Sequence, residues 1–188
     1  NINSTGTADT RDCIFCPAYT PETFGDIEFK KTYGLKYALY GGAMANAIAS
    51  EEFVIALGKA GFMGAFGAGG CIPARIEKAI QSIQGALSNQ PYAFNLINSP
   101  FEPALEQKAV ELYLRYGVRV IEASAYLNLT KNLVRYRVSG LSQNQDGSIR
   151  IGNRVIAKLS RKEVAGKYLQ PAPEDILTQL VSEGVVSV

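Results

Sequence analysis

Five short apolar runs set the main constraint on this chain. They begin near residues 37, 62, 92, 118 and 155, at intervals of 25, 30, 26 and 37 residues, and an amphipathic stretch follows each. Strands that alternate with helical crossovers make a parallel sheet. The runs 37–40, 62–66, 92–96, 118–122 and 155–159 are nearly continuous in apolar character, which suits strands covered on both faces. Helices are predicted over 51–60, from Pro73 to about 87, and over 102–116, 130–138, 162–168 and 174–183. Their ends carry recognisable signals: Ser50 as an N-cap, Gly61 and Gly117 just past helix ends, Pro73 at a first position. Asp146-Gly147 predicts a tight hairpin within 143–150. Residues 1–25 show no period and read as an irregular leader, so the patterned region is 26–188. Two α/β architectures fit: a doubly wound open sheet of five strands, complete at this length, or about the first five units of a (β/α)8 barrel, which takes about 250 residues.

Composition removes several function classes. Hydrophobic residues are 47% and charged residues 19% of the 188, within the range of globular proteins. Nineteen basic against 17 acidic residues leave no dedicated basic face for a phosphate backbone. No histidine is present, so no Ser-His-Asp or Cys-His machinery can be assembled from this chain. The most apolar stretch, 53–70, is interrupted by Lys59 and six glycines and does not make a membrane span. The polar start carries no secretory signal, and a cytoplasmic location is expected. Cys13 and Cys16 form a C-x-x-C and Cys71 stands apart; reduced thiols are expected, with no metal site.

In either architecture the functional loops follow the carboxyl ends of the strands. After the first strand, Gly41-Gly42-Ala43-Met44 lets a flat ring or a phosphate approach the backbone, with Met44 able to lie against an aromatic ring. The Gly67-Ala68-Gly69-Gly70 turn matches neither a dinucleotide fingerprint nor a P-loop, and close packing of loop on sheet is its expected role. Asn95 lies in an apolar run, where an unpaired amide costs about 1–3 kcal/mol. Glu122, with Ser124 beside it, and Lys158 repeat the pattern on the next two strands. These groups either form a buried Glu122–Lys158 pair or converge around a polar ligand, and the second reading is favoured. Arg135, Arg137, Arg161 and Lys162 are expected to be solvated, and Tyr113, Tyr116 and Tyr126 to run from core to surface.

The segments 29–37, 42–50, 92–97 and 120–126, together with Arg154-Val155-Ile156-Ala157-Lys158-Leu159-Ser160-Arg161 and Pro171-Ala172-Pro173, resemble the PfaD-type trans-acting enoyl reductases, members of the nitronate monooxygenase (2-nitropropane dioxygenase-like) flavoproteins. The likeness covers about residues 25–185 and implies the amino-terminal portion of a TIM barrel holding FMN at its carboxyl face. The implied activity is NADPH-dependent reduction of enoyl thioesters on carrier protein in polyunsaturated fatty acid or polyketide biosynthesis. Carried over by position, Gly42, Ala43 and Met44 would lie against the flavin ring and Asn95 would bond to it. Lys158 would approach its polar edge, with Glu122 and Ser124 as further candidates; no catalytic residue is assigned. The family's Gly-Gly-His-Thr-Asp segment has no counterpart in this sequence. The resemblance therefore implies a complementary carboxyl-terminal segment, with an acyl carrier protein or synthase complex as partner and self-association left open. The isolated chain is accordingly expected to bind FMN poorly. A nitronate monooxygenase or NAD(P)H:quinone reductase would use the same flavin seat, and a non-catalytic synthase partner is the reading from another class.

Overall fold

The computed structural model describes residues 18–186, so the Cys13–Cys16 pair and most of the predicted leader lie outside the described residues. Within the leader's end, Pro21–Thr23 forms one 3-10 turn. A helix that the periodicity did not reveal follows: α1 (Ile27–Tyr33), started by Asp26, whose carboxylate accepts from Phe29 N–H at 2.7 Å. It is stopped by Gly34 in the left-handed region (φ 68°). Then come β1 (Tyr40–Gly41), α2 (Glu51–Lys59), β2 (Met63–Phe66), α3 (Pro73–Ala86), β3 (Ala93–Ile97), α4 (Pro103–Arg115), β4 (Val120–Ser124) and α5 (Lys131–Val138). A hairpin of β5 (Leu141–Gln143) and β6 (Ile149–Ile151) precedes β7 (Arg154–Ala157), α6 (Lys162–Tyr168) and α7 (Glu174–Ser182). The first strand is later and shorter than the apolar run 37–40 predicts, because only Tyr40 and Gly41 pair with β2.

Strand order decides between the two architectures. The main sheet runs β1-β2-β3-β4-β7, every pairing parallel, with β5-β6 as a separate antiparallel ribbon. A doubly wound sheet reverses its order midway and so places helices on both faces. Here each crossover steps in the same direction, and right-handed crossovers of one direction put all their helices on one side. The chain is thus a curled run of five parallel strands from a β/α barrel, and the doubly wound alternative is excluded.

Register then sorts the side chains. Asn95 lies opposite Glu122, which lies opposite Ile156, and Ala65 lies opposite Ala93, so these residues share the concave face. The intervening residues Phe66, Phe94, Ile121 and Ala123 face the helices and pack with Ile76, Ile80, Ile83, Val110 and Tyr113. The rings of Phe66 and Phe94 lie 5.3 Å apart and those of Phe94 and Tyr113 5.5 Å apart, which makes this layer the principal core. On the concave face a smaller cluster of Met63, Ala65, Ala93 and Val120 is closed at the strands' amino-terminal end by Leu35, with Phe29 and Tyr33 of α1 packed on it. Small side chains there leave the carboxyl half of that face to polar groups.

Candidate functional site

Glu122 is the centre of the concave face. It is 1% exposed, and an unpaired carboxylate at that depth would be strongly disfavoured. Four donors surround it. Tyr40 donates its hydroxyl to Oε2 at 2.8 Å, and the Ala43 N–H donates to the same oxygen at 3.2 Å. Lys158 Nζ stands 2.8 Å from Oε1, and Asn95 Nδ2 lies at the limit of bonding, 3.5 Å from it. Asn95 Nδ2 also donates to the Glu122 carbonyl at 3.1 Å and to Ser124 Oγ at 2.9 Å. Ala43, Asn95, Glu122, Ser124 and Lys158 therefore lie together. The Glu122–Lys158 ion pair, the reading placed second on sequence, thus forms.

The two partners of that pair are unequal. Lys158 keeps 55% of its side chain exposed, and among the described residues only Glu122 takes one of its three N–H groups. Asn95 Oδ1 takes no donor among the described residues. Tyr40 is the site residue that sequence reasoning missed. Its phenol pKa is held above the ordinary value by burial and by the neighbouring Glu122 charge, so it remains a donor. The available signal was its place at the end of an apolar run, immediately before the Gly41-Gly42 turn. The Ala43 N–H, a backbone donor, left no trace in the sequence.

The loops above this cluster are tightly built. Asn46 N–H donates to the Gly69 carbonyl at 2.7 Å and Ala47 N–H to the Gly67 carbonyl at 2.9 Å. Gly67 is required by contact, since a Cβ there would fall 1.6 Å from the Met44 carbonyl oxygen. Close packing is therefore what the glycine-rich turn provides, of loop on loop where loop on sheet was expected. Asn46, Ala47 and Ala125 all adopt positive φ (55°, 56° and 62°), a strained conformation that concentrates at functional loops. Gly42 borders the cluster, because a Cβ there would lie 3.3 Å from Glu122 Oε2. Met44 does not join it and exposes 44% of its surface. Arg135 and Arg137, expected in solvent, are half-buried on α5, and Tyr113 and Tyr126 are buried outright. Cys71 is a free thiol, and among the described residues no group of three or more His, Cys, Asp or Glu is placed to hold a metal ion. Among them, too, no helix is long and apolar enough to cross a membrane.

No family model matches the chain. Individual relatives do. A polyunsaturated fatty acid synthase component from Thraustochytrium is 50% identical over 163 residues, 87% of this chain and 11% of that protein. The polyketide biosynthesis protein PksE of Bacillus subtilis is 45% identical over 169 residues, 89% of this chain and 22% of that protein. The crystal structure of the enoyl reductase domain of MlnA, from the macrolactin cluster of Bacillus amyloliquefaciens, superposes with a TM-score of 0.85 at 40% identity. This chain is thus similar to the enoyl reductase domain of MlnA and to parts of polyunsaturated fatty acid and polyketide synthesis proteins. The alignment covers 88% of it and 38% of the MlnA chain, so it corresponds to a minority of each relative's length. FabK from Thermotoga maritima, at 18% identity and a TM-score of 0.59, shares the fold.

Proposed function

We propose that this chain forms the cofactor-side, amino-terminal portion of an FMN-dependent enoyl reductase, acting with NADPH on carrier-bound enoyl thioesters in polyunsaturated fatty acid or polyketide synthesis. The observation that carries the reading is the Glu122-centred cluster, which stands at the carboxyl rim of the half-barrel and presents side by side an exposed ammonium and an amide oxygen that takes no donor among the described residues. These residues fit a flat heteroaromatic ring with a polar edge. Gly42 and Ala43 add almost no side chain above the cluster, Asn95 Oδ1 offers an acceptor for a ring N–H, and Lys158 offers donors to ring carbonyl oxygens. When bound, FMN would supply hydride transfer between NADPH and the enoyl double bond. The chain's own residues orient and polarise. Glu122 fixes the Lys158 ammonium, Tyr40 and the Ala43 N–H hold the carboxylate in place, and Ser124 orients Asn95. A fixed ammonium stabilises negative charge on whatever ring edge it meets without reorganising at the moment of reaction.

The test is to co-express this chain with the carboxyl-terminal barrel segment of a relative such as PksE and purify the complex. Flavin should co-purify, and NADPH oxidation should depend on crotonyl-type thioesters. A flavin-free complex, or turnover on nitronates in place of thioesters, would overturn the proposal.

A further inference from the structure

Of the three buried glutamates among the described residues, Glu51 and Glu122 each have a basic partner within 4.0 Å and Glu106 has none. Glu106 is 5% exposed, yet Pro103, Ala104 and Leu105 beside it on the first turn of α4 are all exposed. Its cover is the loop between β4 and α5. Thr130, the N-cap of α5, donates its hydroxyl to Glu106 Oε1 while accepting from the Leu133 N–H at 3.2 Å. Tyr126 is 3% exposed and part of the principal core, and its hydroxyl and that of Tyr168 on α6 are buried without a hydrogen-bond partner among the described residues. The Glu106 charge helps to raise the pKa of both phenols, so they stay neutral. The other titratable groups around it are engaged elsewhere. Lys167 of α6 donates to the Leu127 carbonyl at 2.8 Å and to Asn128, and Lys131 and Arg135 of α5 pair with Glu183 and Glu111. Cys71, across a small cavity that Glu106 also lines, is a thiol whose pKa burial raises.

This cover is thin and strained. Ala125, Leu127 and Asn128 are exposed, and Ala125 holds φ 62°, a costly conformation for a residue with a Cβ. The loop is also joined to the Glu122 cluster. It leaves β4 at Ser124, whose Oγ accepts from Asn95 Nδ2 at 2.9 Å, and Asn98 Nδ2 reaches the Ala125 carbonyl at 3.4 Å.

We propose that residues 125–130 form a proton-controlled latch, closed over Glu106 while its carboxyl is protonated, released when it ionises, and tied through Ser124 to the orientation of Asn95. Glu106 is then a positioning residue. An ionised carboxylate at that depth recovers its hydration only when the loop leaves, because nothing else covers its side of α4. Burial raises the pKa of Glu106 in the closed form despite the Thr130 hydroxyl, so the closed form holds the proton more tightly and rising pH favours opening. Between pH 4.5 and the closed-form value the opening constant rises by up to about tenfold per pH unit, and above that value it levels off.

The experiment follows the isotope-labelled 188-residue chain by NMR from about pH 4.5 to about pH 8, with amide exchange corrected for its intrinsic pH dependence. The backbone amides of 125–130 and the Asn95 side-chain amide should titrate with one shared midpoint above pH 4.5. Protection of the loop should fall by up to about tenfold per pH unit below that midpoint, while β3 keeps its own. Glu106→Gln should abolish the titration and leave the loop protected. Tyr126→Phe, which removes a phenol that favours the ionised carboxyl, should move the midpoint upward. Constant signals and protection across the range would overturn the proposal. So would a titration that survives in Glu106→Gln, an Asn95 amide that does not follow the loop, or a loss of protection that β3 shares. The measurement needs no cofactor, so the inference stands or falls apart from the flavin reading.

Discussion

Replacing Tyr40 by Phe removes one donor from a buried carboxylate and changes little else. A hydrogen bond to a charged group contributes about 1.5–3 kcal/mol. Tyr40 is half-buried, and Glu122 retains the Ala43 N–H and Lys158, so the lower end of that range applies, about 1.5 kcal/mol. For a chain of this size, that corresponds to a fall in Tm of about 3–6 °C. The decisive comparison repeats Tyr40→Phe in a Glu122→Gln background, where the acceptor is neutral and the bond contributes about 0.5–1 kcal/mol. The coupling should therefore be about 0.5–1 kcal/mol, and it should persist from neutral to alkaline pH because the Tyr40 phenol stays protonated. Urea unfolding followed by far-UV circular dichroism and tyrosine fluorescence provides the measurement, since the chain has ten tyrosines and no tryptophan. An equal cost of Tyr40→Phe in both backgrounds would show that the phenol does not stabilise the charge of Glu122.

Other substitutions probe the scaffold around the site. Gly67→Ala should cost about 3 kcal/mol or more, because its methyl group cannot coexist with the Met44 carbonyl; an unchanged urea midpoint would refute that contact. Glu51 receives Arg75 in a bidentate pair at 2.5 and 2.7 Å, and the guanidinium holds its pKa below the ordinary 4.5. That stabilisation is complete above pH 4.5 and is lost as pH falls through the lower folded value, so Glu51→Gln should cost about 1–2 kcal/mol at pH 7 and progressively less in acid. Glu106 is the reverse case: burial raises its pKa despite the Thr130 hydroxyl that donates to it. Its contribution is complete below pH 4.5 and is lost as pH rises through the folded value. Glu106→Gln should therefore leave stability at pH 7 unchanged or higher and flatten the stability profile above pH 4.5, as urea midpoints across that range will show.

What the sequence revealed, and what it concealed, follows from the range of the interactions involved. Strands β2, β3, β4 and β7 and the helices between them were legible because apolar periodicity and end signals such as Ser50, Pro73 and Gly117 are local. Ser50 Oγ does accept from Phe53 N–H, and Gly117 does turn to φ 64°. Helix α1 was missed because its seven residues form too short a window for a helical period, although Asp26 and Gly34 bracket it correctly. Strand order, the feature that selects barrel over open sheet, is a long-range property that no local pattern encodes. Asn95, Glu122 and Lys158 were visible as polar groups in apolar runs, since burial without partners is costly wherever it occurs. Tyr40 was hidden because a tyrosine ending a strand is ordinary until a carboxylate 82 residues away is placed against it. Arg137 was misjudged because a helical arginine exposes or buries itself according to what the following hairpin and β7 do.

The sequential strand order also bears on how the chain is made. Every strand of the main sheet joins beside the one that precedes it in that sheet, and the buried residues of the thick layer under the helices run from Val54 to Tyr136, with Val155 and Tyr168 packed on it later. Partners thus leave the ribosome in the order in which they are needed, and no early segment has to wait for a distant one before it is covered. The concave side develops differently. Met63, Ala65, Ala93 and Val120 are all present once β4 emerges, but Ile156 joins them only with β7, after the β5–β6 excursion has been synthesised. During translation the helical layer can consolidate first, while the hollow that bears Glu122 stays hydrated until its lysine arrives.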